Sequence, residues 1–165
     1  TTLAAAAIIP LGNSFTDYYN TGYNSFVTLH YNIFTNSGIF GFGITGGAGS
    51  LGRQDIVDDK VSIIIYTMAL HMKGVIDFDT PFFVRAELEG GIFFTHWKHE
   101  VDSDDLFTHF YVSPGISLGW SFTSFLNLCT SVKMTIIPNY IAAQENPSTA
   151  VFIYPGISFS YTIKP

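Results

Sequence analysis

The stretch FFVRAELEGGIFFT, Phe82–Thr95, decides the fold of this chain. Large apolar residues alternate in it with charged, polar or small ones, which is the period of a β-strand with two unlike faces. One face carries Phe82, Val84, Ala86, Leu88, Ile92 and Phe94. The other face carries Arg85, Glu87, Glu89, Gly91 and Thr95. The stretch therefore predicts a strand with one strongly apolar face and one face that holds charges.

The same alternation recurs along the whole chain, between clusters of turn-forming residues. It predicts eight strands, over residues 2–10, 22–34, 38–49, 60–74, 81–96, 107–120, 125–137 and 150–163. Connections of about ten residues alternate strictly with short ones. Strands joined in this way form an up-and-down antiparallel meander, which closes into a barrel. We therefore predict a single all-β domain over residues 1–165, an eight-stranded antiparallel up-and-down β-barrel.

The composition excludes several classes of protein. Charged residues are 12% of the 165 residues, whereas an ordinary soluble domain has about 25%. A chain with 47% hydrophobic residues is not disordered, and a net charge of −6 does not fit a nucleic-acid-binding protein. No apolar run reaches the length of about 20 residues that a transmembrane helix needs. The apolar opening, Leu3–Ile9, has no basic segment before it, so we expect a mature chain whose export signal has been removed.

The direction of the two strand faces separates a membrane barrel from a soluble one. A soluble ligand-binding barrel turns its large apolar residues inward and needs many charges outside. Here the second face consists mostly of Gly, Ser, Thr, Asn and His, which fit inside a narrow barrel. No charged residue lies mid-strand on the apolar face, where an ionised group would cost about 2–4 kcal/mol at mid-bilayer. We predict a transmembrane barrel, with the soluble barrel of inverted faces as the alternative.

The loops predict the orientation. Bacterial outer-membrane barrels place long loops outside and short turns in the periplasm. The long connections are acidic, with Asp17, Asp55, Asp58, Asp59, Glu100, Asp102, Asp104, Asp105 and Glu145. We therefore expect a bacterial outer-membrane protein with acidic external loops. Aromatic girdles are expected at the periplasmic interface from Trp120, Phe122 and Phe125, and at the outer interface from Tyr18, Tyr19, Trp97, Phe107 and Tyr140.

The last predicted strand carries Gly156, Phe159 and Tyr161 in the pattern G-x-x-F-x-Y. This pattern resembles the C-terminal assembly signal of bacterial outer-membrane barrels, which the barrel-assembly machinery reads. With the eight-strand layout and the segments Ile9–Gly12 and Gly22–Tyr23, the chain resembles the small barrels of the OmpX, OmpW and OmpA-like superfamily and is similar to its spirochaete members. It departs from the usual pattern because Thr162–Pro165 follow the terminal aromatic residue.

The polar face predicts a network of side chains inside the barrel. Its members are Arg85, Glu87, Glu89, Lys73, Lys133, His30, His71 and His109. The structural interpretation is a salt-bridged plug, because an eight-stranded barrel is filled by its own side chains and buried carboxylates need cationic partners. The functional alternative is a polar conduit or a gated pore.

The candidates for a catalytic or a metal site do not match the geometry that such sites need. His109 and Ser113 share a face, but four residues of strand separate them by about 13 Å, too far for a nucleophile and its base. The loop His96–Asp105 combines imidazoles with acidic oxygens, yet its spacing matches no standard metal site. We predict neither an enzyme nor a metal or other cofactor.

Together these observations predict an integral outer-membrane barrel with a mostly filled lumen, whose short acidic loops serve surface interaction or membrane structure. The resemblance to OmpX-like proteins implies this role, and the resemblance to OmpW implies the alternative, a channel for small or hydrophobic solutes. The expected partners are the bilayer, lipopolysaccharide or another outer-leaflet lipid, the barrel-assembly machinery, and a host or cell-surface ligand. We expect a monomer that binds no nucleic acid.

Overall fold

The strands close into a barrel. The computed structural model describes residues 1–11, 19–36, 38–53, 62–78, 80–98, 105–140 and 148–162. The strands are β1 (Thr2–Leu11), β2 (Tyr19–Thr35), β3 (Gly38–Arg53), β4 (Ser62–Asp77), β5 (Phe82–Lys98), β6 (Asp105–Ser121), β7 (Leu126–Tyr140) and β8 (Ser148–Tyr161). Each pairs antiparallel with the next, and β1 pairs with β8. The predicted eight-stranded antiparallel barrel is confirmed. In the described part of the chain no helix is long and apolar enough to cross a membrane.

The two ends of the barrel differ in their connections. At the short-turn end, strands are joined through residues 36–37, 78–81 and 122–125. At the long-loop end they are joined through residues 12–18, 54–61, 99–104 and 141–147. These longer segments lie outside the described residues, and with them lie Tyr18 and every acidic loop residue predicted above except Asp105, which begins β6.

The outer surface of the barrel is apolar. Tyr31, Leu70 and Phe110, each at least four residues from the end of its strand, are 75%, 72% and 75% exposed. Lys73, Arg85, Glu87 and Glu89 point the other way and are only 7%, 4%, 8% and 2% exposed. The predicted assignment of the two faces is therefore confirmed, and the alternative with inverted faces is wrong.

The residues predicted for the girdle at the short-turn end are exposed there, whereas three of those predicted for the outer girdle point inward. Trp120, Phe122 and Phe125 are exposed near the short-turn end, and the rings of Trp120 and Phe122 stack at 6.0 Å. Trp97 and Tyr140, predicted for the outer girdle, are instead buried inside the barrel. Phe107, predicted with them, packs against the same buried cluster.

The outer-girdle prediction is wrong for these residues because the strands extend further than the sequence pattern indicates. β5 continues to Lys98 and β6 begins at Asp105, so the alternation of β5 and β6 keeps Trp97 and Phe107 on the inward face. In β7 the register shifts between Ile137 and Tyr140. Asn139 has a φ of 53°, a left-handed conformation that Asn tolerates better than most residues. This irregularity places Ile137 and Tyr140, three positions apart, on the same inward face.

Candidate functional site in the barrel lumen

The pairing of β4 with β5 positions the charged residues of the lumen. His71 lies opposite Glu89, and Lys73 lies opposite Glu87. On the far side of β5 the row of Glu87 continues through Gly115 of β6 to Lys133 of β7. A Cβ on Gly115 would lie against the Lys133 side chain, so the glycine leaves the space that this side chain occupies. The register thus brings carboxylates and cations from three strands to one level.

Glu87 is the centre of this arrangement. Its carboxylate forms an ion pair with Nε of Arg85, and its Oε2 lies 3.2 Å from Nζ of Lys133. Oγ of Ser117 donates a hydrogen bond of 3.2 Å to its Oε1. Nε2 of His71 lies 3.4 Å from Oε2. Glu87 therefore has two cationic and two polar partners, as a buried carboxylate needs.

The second carboxylate extends the network. Oε1 of Glu89 lies 2.5 Å from Nζ of Lys133 and 3.7 Å from Nε2 of His71. Nδ1 of His71 shares a hydrogen bond of 2.8 Å with Nε2 of His30. We refer to His30, His71, Lys73, Arg85, Glu87, Glu89 and Lys133 as the lumen polar cluster.

Arg85 connects the lumen polar cluster to a further strand. One terminal nitrogen of its guanidinium donates hydrogen bonds of 3.3 and 3.2 Å to the hydroxyls of Ser117 and Ser158. Ser158 belongs to β8, so Arg85 spans the lumen from β5. Charge-assisted hydrogen bonds of this kind are stronger than neutral ones and hold the side chain in place.

His109, the remaining member of the predicted network, lies elsewhere. Its ring packs against Tyr140 with a centroid distance of 4.7 Å, nearer the long-loop end. Ser113, which shares its strand face, shares a hydrogen bond of 2.9 Å with Thr135. The structure therefore does not bring His109 into the lumen polar cluster, and Ser113 is engaged by a threonine rather than by this histidine.

The other half of the lumen is filled by apolar and aromatic side chains that sequence reasoning missed. Phe93 is fully buried, stacks on Phe152 at 6.2 Å and meets Tyr111 edge-on at 6.3 Å. Phe26 packs edge-on against Tyr154 at 6.0 Å, and Nζ of Lys133 lies 5.4 Å from the Phe26 ring, so this layer touches the lumen polar cluster. We call the following set the aromatic layer: Ile8, Phe26, Leu51, Ile63, Ile65, Phe93, Trp97, Tyr111, Ile137, Tyr140, Phe152 and Tyr154.

A signal for the aromatic layer exists in the sequence. Phe93 has the same parity as Glu87 and Glu89, and Phe152 and Tyr154 have the same parity as Ser158. Aromatic residues on the polar face of a strand must lie in the lumen if the charged ones do, because successive side chains alternate between faces. The change from polar to aromatic residues along the inward face predicts a lumen of two layers.

The lumen polar cluster also contains a possible set of metal ligands. His71, Glu87 and Glu89 offer ligand atoms within 4.8 Å of one another. However, Arg85 and Lys133 already neutralise both carboxylates, and a metal ion would have to displace these cations. The residues fit a salt-bridged network better than a metal centre. Of the other metal candidate, the loop His96–Asp105, residues 99–104 lie outside the described part of the chain.

The predicted assembly signal lies on β8. Phe159 and Tyr161 are both 51% exposed on the outer face, and Tyr161 meets Phe125 edge-on at 5.6 Å. Gly156 lies between β7 and β1, opposite Ser131 and Ala6. Recognition of these residues by the barrel-assembly machinery stays a prediction.

The fold defines the class of protein: a small closed antiparallel barrel with an apolar exterior and a filled interior, as in outer-membrane barrels. Among solved structures, Neisserial surface protein A is similar to the chain with a TM-score of 0.69 at 10% identity, over 98% of this chain and 96% of that one. The outer membrane enzyme PagL is similar with a TM-score of 0.64 at 11% identity, over 98% and 100%. Ail, the attachment invasion locus protein of Yersinia pestis, has a TM-score of 0.53 at 12% identity, over 97% and 94%.

Sequence comparisons add nothing to this fold assignment: no protein-family model matches the chain, and no curated protein does. The predicted resemblance to small eight-stranded outer-membrane β-barrels is confirmed at the level of the fold. The three structures include an outer membrane enzyme, so the fold alone does not exclude catalysis.

Proposed function

We propose that the chain is an integral barrel of the bacterial outer membrane whose lumen is closed by its own side chains and which acts through its loops at the cell surface. The observation that carries this proposal is the division of the lumen into two buried layers. Glu89 and Lys133 are held together in the lumen polar cluster, and Phe93 and Phe152 are fully buried in the aromatic layer above it. A lumen filled in this way offers no path for a solute, so the loops remain as the functional surface.

The apolar exterior supports the location. Exposing side chains such as Leu70 and Phe110 to water costs free energy, whereas the hydrocarbon region of a bilayer accommodates them. With the long-loop end outside, the short-turn end and both described termini face the periplasm. The predicted acidic loops then meet the outer-leaflet lipid, lipopolysaccharide or a host or cell-surface ligand. The proposed role is surface interaction or membrane structure, without an enzymatic step or a cofactor.

Two measurements test this proposal. The first is detergent dependence: we expect a monomer that is monodisperse only in detergent and whose gel mobility shifts on heating. A chain that stays monodisperse in plain buffer and shows no mobility shift would contradict the membrane location.

The second measurement is conductance in planar bilayers. We expect no reproducible single-channel steps, because the aromatic layer and the lumen polar cluster fill the bore. Reproducible steps whose amplitude changes in the Glu87→Ala variant would contradict the closed lumen and favour the solute channel instead. The exposed variant Thr35→Ala, at the short-turn end of β2, is the matched control that should leave the trace unchanged.

A further inference from the structure

The short-turn end of the barrel contains a polar cavity. Its volume is about 240 Å³, smaller than the roughly 300–1,000 Å³ of sites for drug-sized ligands. Hydroxyl and amide side chains dominate its wall, contributed mainly by Asn32, Ser121, Thr123, Ser124, Asn127 and Ser160. The cavity ends at Lys73 and Arg85, the members of the lumen polar cluster nearest this end. It is therefore a small polar chamber with cations at its inner end.

Lys73 differs from the other cations of the lumen polar cluster. It is 7% exposed, yet among the described residues no carboxylate oxygen lies within 4.0 Å of its ammonium group. Although Lys73 lies opposite Glu87 in the sheet, the carboxylate of Glu87 is engaged by Arg85 and Lys133. Lys73 is therefore a nine-tenths buried cation at the wall of a polar cavity, with no ion-pair partner in the part of the chain that the structure describes.

Gly41 gives the Lys73 side chain its position. A Cβ at Gly41 would collide with Cε of Lys73 and with the side-chain oxygen of Asn32. The lysine therefore lies across the glycine, next to Asn32, whose side-chain oxygen is buried and has no hydrogen-bond partner in the described part of the chain.

The charges of this region do not balance. The lumen polar cluster contains the cations Lys73, Arg85 and Lys133 but only the carboxylates Glu87 and Glu89. The Lys and Arg side chains of the cluster thus outnumber its carboxylates by one, and a buried charge without a partner is strongly unfavourable. Asp77 also lines the cavity, but it is exposed to solvent, and exposed charges interact weakly. The electrostatic potential inside the chamber therefore favours the binding of an anion.

We propose that this chamber binds a small oxyanion of the phosphate class, with Lys73 as its counter-charge. The rim hydroxyls and amides, such as Ser124 and Asn127, are donors for the remaining oxygens. A phosphate group needs both features, since each oxygen accepts hydrogen bonds and the whole group carries charge. The group is either free phosphate or the headgroup of an anionic lipid, which present the same chemistry to the cavity.

The test is a titration of the intact barrel in an uncharged detergent and phosphate-free buffer. Amide NMR signals of Ser121, Ser124 and Asn127 are followed against sodium phosphate, and against sodium chloride at equal ionic strength. We expect saturable shifts with phosphate only. A parallel titration with short-chain phosphatidylglycerol separates the sources: saturation by phosphate identifies the free ion, and saturation by the lipid alone identifies a headgroup. Saturation by neither, or an equal response to chloride, overturns the proposal.

Variants assign the site to Lys73. Lys73→Met should weaken binding at least tenfold, whereas Lys73→Arg should retain it because the charge is kept. Lys98→Met is the matched control, since it removes one positive charge at an exposed position of the other end and should leave the affinity unchanged. If Lys73→Met does not fold, Asn127→Leu at the rim should lower the affinity instead. Unchanged affinity in both Lys73→Met and Asn127→Leu would show that the anion binds elsewhere and overturn the proposal.

Discussion

The stability of the barrel should depend on the negative charge of Glu87. The substitution Glu87→Gln keeps the shape of the side chain but removes its charge. The lumen polar cluster then has three cations facing only the carboxylate of Glu89. Lys133 keeps its contact with Glu89 at 2.5 Å, so the main loss falls on Arg85, which keeps only neutral acceptors: the hydroxyls of Ser117 and Ser158 and the amide oxygen of the new side chain.

The magnitude follows from these remaining contacts. Breaking a buried ion pair by removing one partner costs about 3–5 kcal/mol. Because Arg85 keeps two hydroxyl acceptors, we expect the lower end of that range, about 3 kcal/mol, or about two powers of ten in the folding equilibrium. Glu89→Gln is the matched comparison. It leaves the Arg85–Glu87 pair intact, and Lys133 keeps Glu87 at 3.2 Å, so we expect a smaller loss of about 1.5 kcal/mol.

The assay is reversible urea unfolding of the barrel in lipid vesicles, followed by tryptophan fluorescence. Trp97 is buried in the lumen and Trp120 is exposed on the outer face, so both environments report on folding. The double variant Arg85→Met/Glu87→Gln removes the cation that the single variant leaves unpaired, and it should recover at least half of the loss. A loss of stability below about 1 kcal/mol in Glu87→Gln would refute this reasoning. So would a double variant whose loss equals the sum of the losses measured for Arg85→Met and Glu87→Gln separately.

Three further substitutions test other parts of the structure. Leu70→Arg places a charge mid-strand on the outer face and should cost about 2–4 kcal/mol in bilayers, against about 0–1 kcal/mol for Thr35→Arg at the strand end; equal values in vesicle unfolding would contradict the assigned membrane face. Phe152→Ala removes a fully buried ring from the aromatic layer and should cost about 3–5 kcal/mol; a loss under 1 kcal/mol in the same assay would mean that this layer is not tightly packed. Gly119→Ala places a methyl group against the Phe83 ring and should cost about 1–3 kcal/mol of stability in urea unfolding. Ala86→Gly, on the exposed face of β5, is the control for exchanging Gly and Ala. Equal stability of Gly119→Ala and the unmodified protein would show that Phe83 moves aside freely.

The barrel itself could be predicted because its signals are local. Alternation in Phe82–Thr95 and the seven other strands depends only on successive side chains pointing to opposite faces. The inward direction of Arg85 and Glu87 followed from the cost of placing a charge in lipid, which needs no knowledge of the partners. The same alternation also indicates the aromatic layer, because Phe93 lies on the same face of its strand as Glu89.

The partners of the inward side chains could not be predicted from the sequence. His30 meets His71 across 41 positions of sequence, and Lys133 meets Glu89 across 44. These pairs depend on the relative register of several strands around a closed barrel. The alternation along one strand predicts which face a side chain is on, but not its position along the barrel axis relative to other strands. The same holds for Tyr140, which is buried because the backbone irregularity at Asn139 shifts the alternation.

The sequence by itself therefore determined the number of strands, the closure of the sheet, and which face of the strands points outward. Only the tertiary structure decided that His109 lies apart from the lumen polar cluster and that Lys73, beside a cavity, has no ion-pair partner among the described residues. The physical reason is that a strand's faces depend on its own residues, but ion pairing inside a barrel depends on which strands' side chains reach the same height.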